Sequence, residues 1–235
     1  KPQTQGGGIV FVRTDLEGKP QVSADILHLL PVEERPRRTS IGKGVAKVHT
    51  IEHLMAALCG FGIDNLVVEL NGPEIPGLDG SAKKISEILK EAGIKNLDAQ
   101  RKEMRITAPI LAKENGSVIC AFPSDVFKIS YTLDYSHLGL STHYGQFVLD
   151  DEFFVRELAP ARTFCLEAEA DRLIKQGLGK GASLDNTLIV GNNGSIKGDL
   201  RFEDEFLRHK VLDIIGDLFI LGYFLKAHIA VSYTH

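Results

Sequence analysis

No apolar run in this chain of 235 residues approaches the roughly 18 that a membrane-spanning helix needs. The opening Lys1 to Gly8 has no apolar region of the signal-peptide kind. Positive charge is never concentrated: the short Arg35-Pro36-Arg37-Arg38 stretch is the densest basic run, and 27 Lys and Arg stand against 31 Asp and Glu, a net charge of −4. Nucleic acid is therefore not expected as a partner. Cysteine is scarce, and Cys59, Cys120 and Cys165 form no C-x-x-C pair. They read as reduced, part-buried thiols, which points to the cytoplasm. No segment is low-complexity or repetitive enough for a solenoid. What these absences leave is a protein long enough to bury a core without staples, as one large domain or two smaller ones.

Val, Ile and Leu cluster between breakers at Gly8–Arg13, Val22–Leu30 and Leu66–Leu70, which predicts strands. Helices are predicted over Val48–Phe61 and, after the capping residue Ser81, over Ala82–Ala92. The loop Asn71–Gly80 reads as backbone punctuation through its glycines and prolines. From Lys102 the pattern restarts: strands at Met104–Ile110, Val118–Ala121, Phe127–Leu133 and Gln146–Val148, then helices at Leu166–Gln176 and Phe206–Leu221. A linker is expected near Asn96–Arg101, dividing the chain into residues 1–98 and 99–235. An internal echo supports two related halves: Glu52–Val68 and His209–Val231 each run from an apolar helix bearing ligand-type residues, through a Gly-aromatic turn, to an apolar strand.

His53 sits in His49-Thr50-Ile51-Glu52-His53-Leu54, and His209 and Asp213 lie four apart, where helical residues share a face. Asp217 extends that face by a turn. Two imidazoles and one carboxylate suit zinc and leave a fourth position for water, the pattern of a catalytic site. A metal so held lowers the pKa of its bound water steeply, toward about 7. Amide or ester hydrolysis follows, with Glu52 as base, Thr163 as a donor and a histidine as acid that Asp217 keeps protonated. Each piece also has a plain reading. A lone histidine on an apolar helix is usually a satisfied core residue, and His209 with Asp213 is also a spacing at which the two attract without metal. Lys210 reads equally as a surface cation and Thr163 as a strand-end hydroxyl; the two histidine motifs together favour the metal.

In order and spacing, several segments resemble the zinc-dependent UDP-3-O-acyl-N-acetylglucosamine deacetylases, which perform the committed step of lipid A synthesis. They are Thr50-Ile51-Glu52-His53-Leu54, Gly62-Ile63-Asp64-Asn65, Pro73-Glu74-Ile75-Pro76 with Asp79-Gly80-Ser81, Ala161-Arg162-Thr163-Phe164, and Leu200 to Glu205 running into His209 to Asp217. The resemblance implies zinc on His53, His209 and Asp213, with iron(II) as the other ion these ligands accept. It implies Glu52 as general base, Thr163 polarising the acetamide carbonyl, and Lys210 meeting negative charge on the substrate. Asp134 and Tyr135 match positions that contact the uracil, and Tyr135 equally fits a strand-end aromatic covering the core. Phe164–Gly181, with Leu166, Leu173 and Ile174, occupies the place of a βαβ insert that forms a passage for the acyl chain, and these residues equally fit an ordinary core.

The fold implied is an α+β two-domain sandwich, each domain a sheet, with the helices packed in the middle. Two departures stand out. The family begins with a strand and a Gly-rich turn containing histidine, whereas this chain starts at Lys1-Pro2-Gln3-Thr4, so its first sheet is expected to lack a strand. His235 lies at the matching distance after Asp217 and is assigned as the acid, although Tyr233-Thr234 replaces the small or basic residues that commonly precede it. The reading is a zinc-dependent, cytoplasmic, monomeric hydrolase acting on a UDP-linked acylated glucosamine, in transient contact with membrane lipid. The alternatives are a zinc amidohydrolase for another acylated amine and a divergent protein that binds UDP-sugar lipid without turnover.

Overall fold

A computed structural model of the chain describes residues 1–34, 36–114, 116–135, 140–175, 181–191 and 193–234, with the backbone alone at 171–174 and 234. In chain order the strands and helices are β1 (Ile9–Arg13), β2 (Gln21–Ser23), β3 (Ser40–Lys43), β4 (Ala46–His49), α1 (Glu52–Gly60), β5 (Leu66–Leu70), α2 (Lys83–Ala92), β6 (Glu103–Arg105) and β7 (Ile110–Glu114). There follow β8 (Ser117–Pro123), β9 (Lys128–Asp134), β10 (His143–Val148), α3 (Asp151–Phe153), β11 (Phe164–Leu166), α4 (Glu167–Lys175), β12 (Leu188–Val190), β13 (Ile196–Lys197), α5 (Glu205–Phe219) and β14 (Phe224–Thr234). The fold is α+β, as expected. Two compact units form, each from separated segments: Lys1–Pro76, Ile85–Glu103 and Leu212–Phe224 in one, Gly77–Lys84, Met104–Val211 and Leu225–His235 in the other. Among the described residues no helix is long and apolar enough to cross a membrane.

In the first unit β1 pairs in parallel with β5 and antiparallel with β2, while β3 and β4 form a separate hairpin. All five residues of β1 are buried, as an unbroken Ile-Val-Phe-Val run predicts for a strand covered on both faces. Pro2 bridges Leu66 of β5. Phe11, Ile41, Ile51, Met55 and Leu58 are fully buried in this unit.

Three expectations are corrected. The strand expected over Val22–Leu30 stops at Ser23, because the Asp25 side chain accepts from the N–H groups of Leu27 and His28 and turns the chain into a 3₁₀ turn over Ile26–His28. The helix expected from Val48 starts only at Glu52: Ala46–His49 is strand β4, and Thr50 takes a left-handed conformation (φ 58°) that breaks the chain sharply between the two. The strand expected over Met104–Ile110 is two short ones, β6 and β7, with Pro109 between them offering no N–H to a ladder.

In the second unit the strand order is β10-β9-β14-β8-β7, with β6 also on β14; β14 runs parallel to β9 and antiparallel to β8. β11 and β12 are parallel neighbours joined through α4, the expected βαβ insert. Its second strand lies at Leu188–Val190, beyond the Gly181 boundary read from the sequence. The side chains of Leu173 and Ile174 lie outside the described residues. The echo between halves is visible locally: α1 and α5 each end before a glycine with positive φ, Gly62 (67°) and Gly222 (76°), and lead into β5 and β14.

Candidate metal centre

Helix α1 begins one residue after the Thr50–Ile51 turn, so Glu52 and His53 stand on its first turn. The turn is held by Thr50 Oγ1 donating to Glu74 at 2.6 Å and by the Ile51 N–H donating to the Thr39 carbonyl at 3.2 Å. Gly216 of α5 meets this turn backbone to backbone. A Cβ there would come within 2.0 Å of the Glu52 carbonyl oxygen and 3.0 Å of Ala56 N. With no side chain between them, His53 Nε2 lies 3.5 Å from Asp213 Oδ1.

Helix α5 is uninterrupted from Glu205 to Phe219, so the spacing of His209 and Asp213 is set by the helix itself. His53, His209 and Asp213 each offer a ligand atom, and these atoms lie within 4.8 Å of one another. His209 is 1% exposed, and its Nδ1 meets the Ala161 carbonyl at 3.0 Å. A carbonyl only accepts, so Nδ1 carries a proton, and in the neutral ring Nε2 is then the nitrogen with a lone pair to offer. Metal-bound histidines are oriented by such a bond from their other nitrogen, and this observation fits His209 to a ligand's role.

Glu52 is 8% exposed, and its Oε2 accepts from the Thr39 N–H at 3.0 Å. Burial pushes its carboxyl up to about 7; His53 opposes that rise, while Asp213 and Asp217 add to it. Thr39 also donates its hydroxyl to Asp217 at 2.5 Å. It thus touches both carboxylates of the expected acid–base set, a role the sequence reading missed.

The remaining expected residues fall in the second unit. The Thr163 N–H donates to the Gly80 carbonyl (2.8 Å), and its own carbonyl accepts from Leu188 (3.0 Å), which fixes it two residues after the carbonyl that holds His209. Lys210 Nζ lies 5.5 Å from the centre of the Phe164 ring. Phe164 is buried against Phe206 (4.7 Å between ring centres) and edge-on to Tyr135 (6.0 Å). Tyr135 is 6% exposed and packs on Tyr233 as well. Asp134 closes β9 and accepts from the Thr142 hydroxyl at 3.1 Å. His235 lies outside the described residues.

An α+β chain that brings two histidines and an aspartate together beside a buried glutamate has the equipment of a metal-dependent hydrolase. The family model for LpxC, UDP-3-O-acyl N-acetylglycosamine deacetylase, matches residues 1–235, and the chain belongs to that family. It is 40% identical over 230 residues to a UDP-3-O-acyl-N-acetylglucosamine deacetylase of Geobacter sp. (strain M21), covering 97% of this chain and 74% of that protein. Proteins of the same name from Acidithiobacillus ferrooxidans and Trichormus variabilis are 40% and 38% identical over 232 residues, covering 97% of this chain and 75% and 82% of theirs.

Proposed function

We propose that this chain hydrolyses the N-acetyl group from UDP-3-O-acyl-N-acetylglucosamine in lipid A biosynthesis. The observation that carries the reading is the buried Glu52 beside the His53, His209 and Asp213 group, in a chain matched along its whole length by a deacetylase family. Those three residues would hold the metal, zinc or else iron(II). When bound, the metal supplies a Lewis acid that polarises the acetamide carbonyl and acidifies water.

The chain's own groups do the rest. Glu52, whose Oε2 accepts from the Thr39 N–H, takes the proton of the attacking water. Thr163, on a backbone pinned to Gly80 and Leu188, donates to the carbonyl oxygen as it gains charge. Lys210 meets the negative charge of the substrate. His235, assigned from the sequence, protonates the leaving amine and is kept charged by Asp217. Asp134 and Tyr135 take the uracil, and Phe164 with the β11–α4–β12 insert takes the acyl chain. The enzyme works in the cytoplasm as a monomer, meeting membrane lipid only transiently, with residues 1–98 and 99–235 as its two α+β domains.

The test is zinc content together with acetate release from the UDP-linked substrate, with and without added zinc, and with free UDP as competitor. One equivalent of zinc, zinc-dependent release and inhibition by UDP are expected. Release indifferent to UDP would move the reading to an amidohydrolase for another acylated amine, and binding without release to a non-catalytic sugar-lipid binder.

A further inference from the structure

One peptide unit, the bond from Ala161 to Arg162, is gripped at both ends by a single face of α5. Its carbonyl oxygen accepts from His209 Nδ1 at 3.0 Å, and its N–H donates to Glu205 Oε1 at 2.9 Å. Glu205 and His209 are four residues apart, one helical turn, and so project side by side. The carboxylate end of the grip is itself locked. Arg162 Nε reaches Oε1 at 2.9 Å and Nη2 reaches Oε2 at 3.3 Å, while the Arg201 N–H donates to Oε2 at 2.6 Å. Arg162 Nη2 also donates to the Asp199 carbonyl. Glu205 is 0% and Arg162 6% exposed. The flanking peptides are fixed as well: Arg201 Nη1 donates to the Pro160 carbonyl at 2.7 Å, and the Thr163 N–H to the Gly80 carbonyl at 2.8 Å.

A buried ion pair adds little net stability over an apolar pair of the same volume, so stability alone does not account for it. Its geometry does something an apolar pair would not. A charged acceptor on the peptide N–H polarises that peptide and makes its carbonyl a stronger acceptor. That carbonyl is the group that keeps the His209 proton on Nδ1.

We propose that Glu205 is a positioning residue, acting through the Ala161–Arg162 peptide to set the tautomer and orientation of His209 and the placement of Thr163. The proposal rests on His209 being a metal ligand, as read above. It assigns the Arg162–Glu205 pair to the site's geometry, with Arg201 as the brace that keeps Glu205 in register.

Two readouts test it, neither of which needs substrate. In chelator-treated protein at pH 8.5, ¹⁵N shifts of labelled histidine report which nitrogen of His209 is protonated; zinc affinity follows from competition with a chromophoric chelator. Wild type should hold Nδ1–H. Glu205→Gln should move His209 toward Nε2–H and weaken zinc roughly tenfold, the usual size for the partner of a ligating histidine, with the circular dichroism spectrum unchanged. The double variant R162L/E205L, which leaves no charge buried alone, should fold and show the same two changes. An Nδ1–H ring and full zinc affinity in either folded variant would overturn the proposal. Should wild type bind no zinc, the metal reading falls, and the tautomer in the variants still decides whether Glu205 acts on His209.

Discussion

Glu52 and Glu205 occupy the same place in two helices and behave in opposite ways. Each is the first residue of its helix, α1 or α5, and each is buried. A helix N-terminus favours a carboxylate in both cases. Burial raises both carboxyls, but for Glu205 the hydrogen bonds from the Arg162 guanidinium and from the backbone of Arg201 and Arg162 outweigh it, holding the group below the ordinary carboxylate value. Among the described residues no lysine or arginine is bonded to Glu52; Asp213 and Asp217 stand near it, and it rises to about 7. One glutamate is therefore a fixed anion that braces a peptide. The other is a carboxyl that burial and its acidic neighbours push up toward neutrality, the range that suits the base proposed above.

The sharpest way to separate them is turnover. Glu52→Ala should lose about 10²–10⁴-fold in acetate release while keeping zinc, since Glu52 is proposed as the base and not as a ligand. Full activity in that variant would remove Glu52 from the chemistry. Glu205→Ala strands the Arg162 guanidinium and should cost about 3–5 kcal/mol in urea unfolding, most of it recovered in R162L/E205L. A loss below about 1 kcal/mol would show that the pair is not closed in solution.

The signs of the pH dependence differ too. The carboxyl of Glu205 is lowered, so its contribution is present above the unfolded value near 4.5 and lost as pH falls through the folded value. The carboxyl of Glu52 is raised from 4.5 to about 7, so in metal-free protein its penalty is absent at pH 4, grows through that window and is complete above it. Glu52→Gln should then stabilise chelator-treated protein by up to about 3 kcal/mol at pH 8 and by nothing at pH 4. An equal gain at both pH values would contradict the raised carboxyl. The smallest effect is expected from Thr39→Val, which keeps the N–H to Glu52 and loses the hydroxyl to Asp217, at about 1 kcal/mol. A larger loss would give that hydroxyl a wider role.

Much of the site was legible because helices are periodic. The four-residue spacing of His209 and Asp213 needs only α5 to be a helix, and the apolar stripe Ile51, Leu54, Met55, Leu58 marks α1. The strands β1 and β5 were legible for a different reason, their short runs dense in Val, Ile and Leu. The hairpin β3–β4 was not, because each of its strands is only four residues long and the end of the second falls within the run read as helix from Val48. Thr39 was invisible: one of its contacts is a backbone N–H that any residue but proline would offer, and its partners lie 13 and 178 residues away. Arg162 and Glu205, 43 residues apart, gave no sign of meeting at one peptide.

Part of the local order in this protein follows from its sequence alone: which residues share a helix face, the glycine turns that follow α1 and α5, and that two histidines and an aspartate are offered as ligands. Only the tertiary structure decided that Gly216 lets the α1 and α5 backbones touch, that His209 carries its proton on Nδ1, and that two glutamates at equivalent helix positions hold their protons so differently. The reason is range. Helix and turn preferences are set by neighbours a few residues away, whereas the charge of a buried carboxyl depends on groups within a few ångströms that the chain supplies from distant segments.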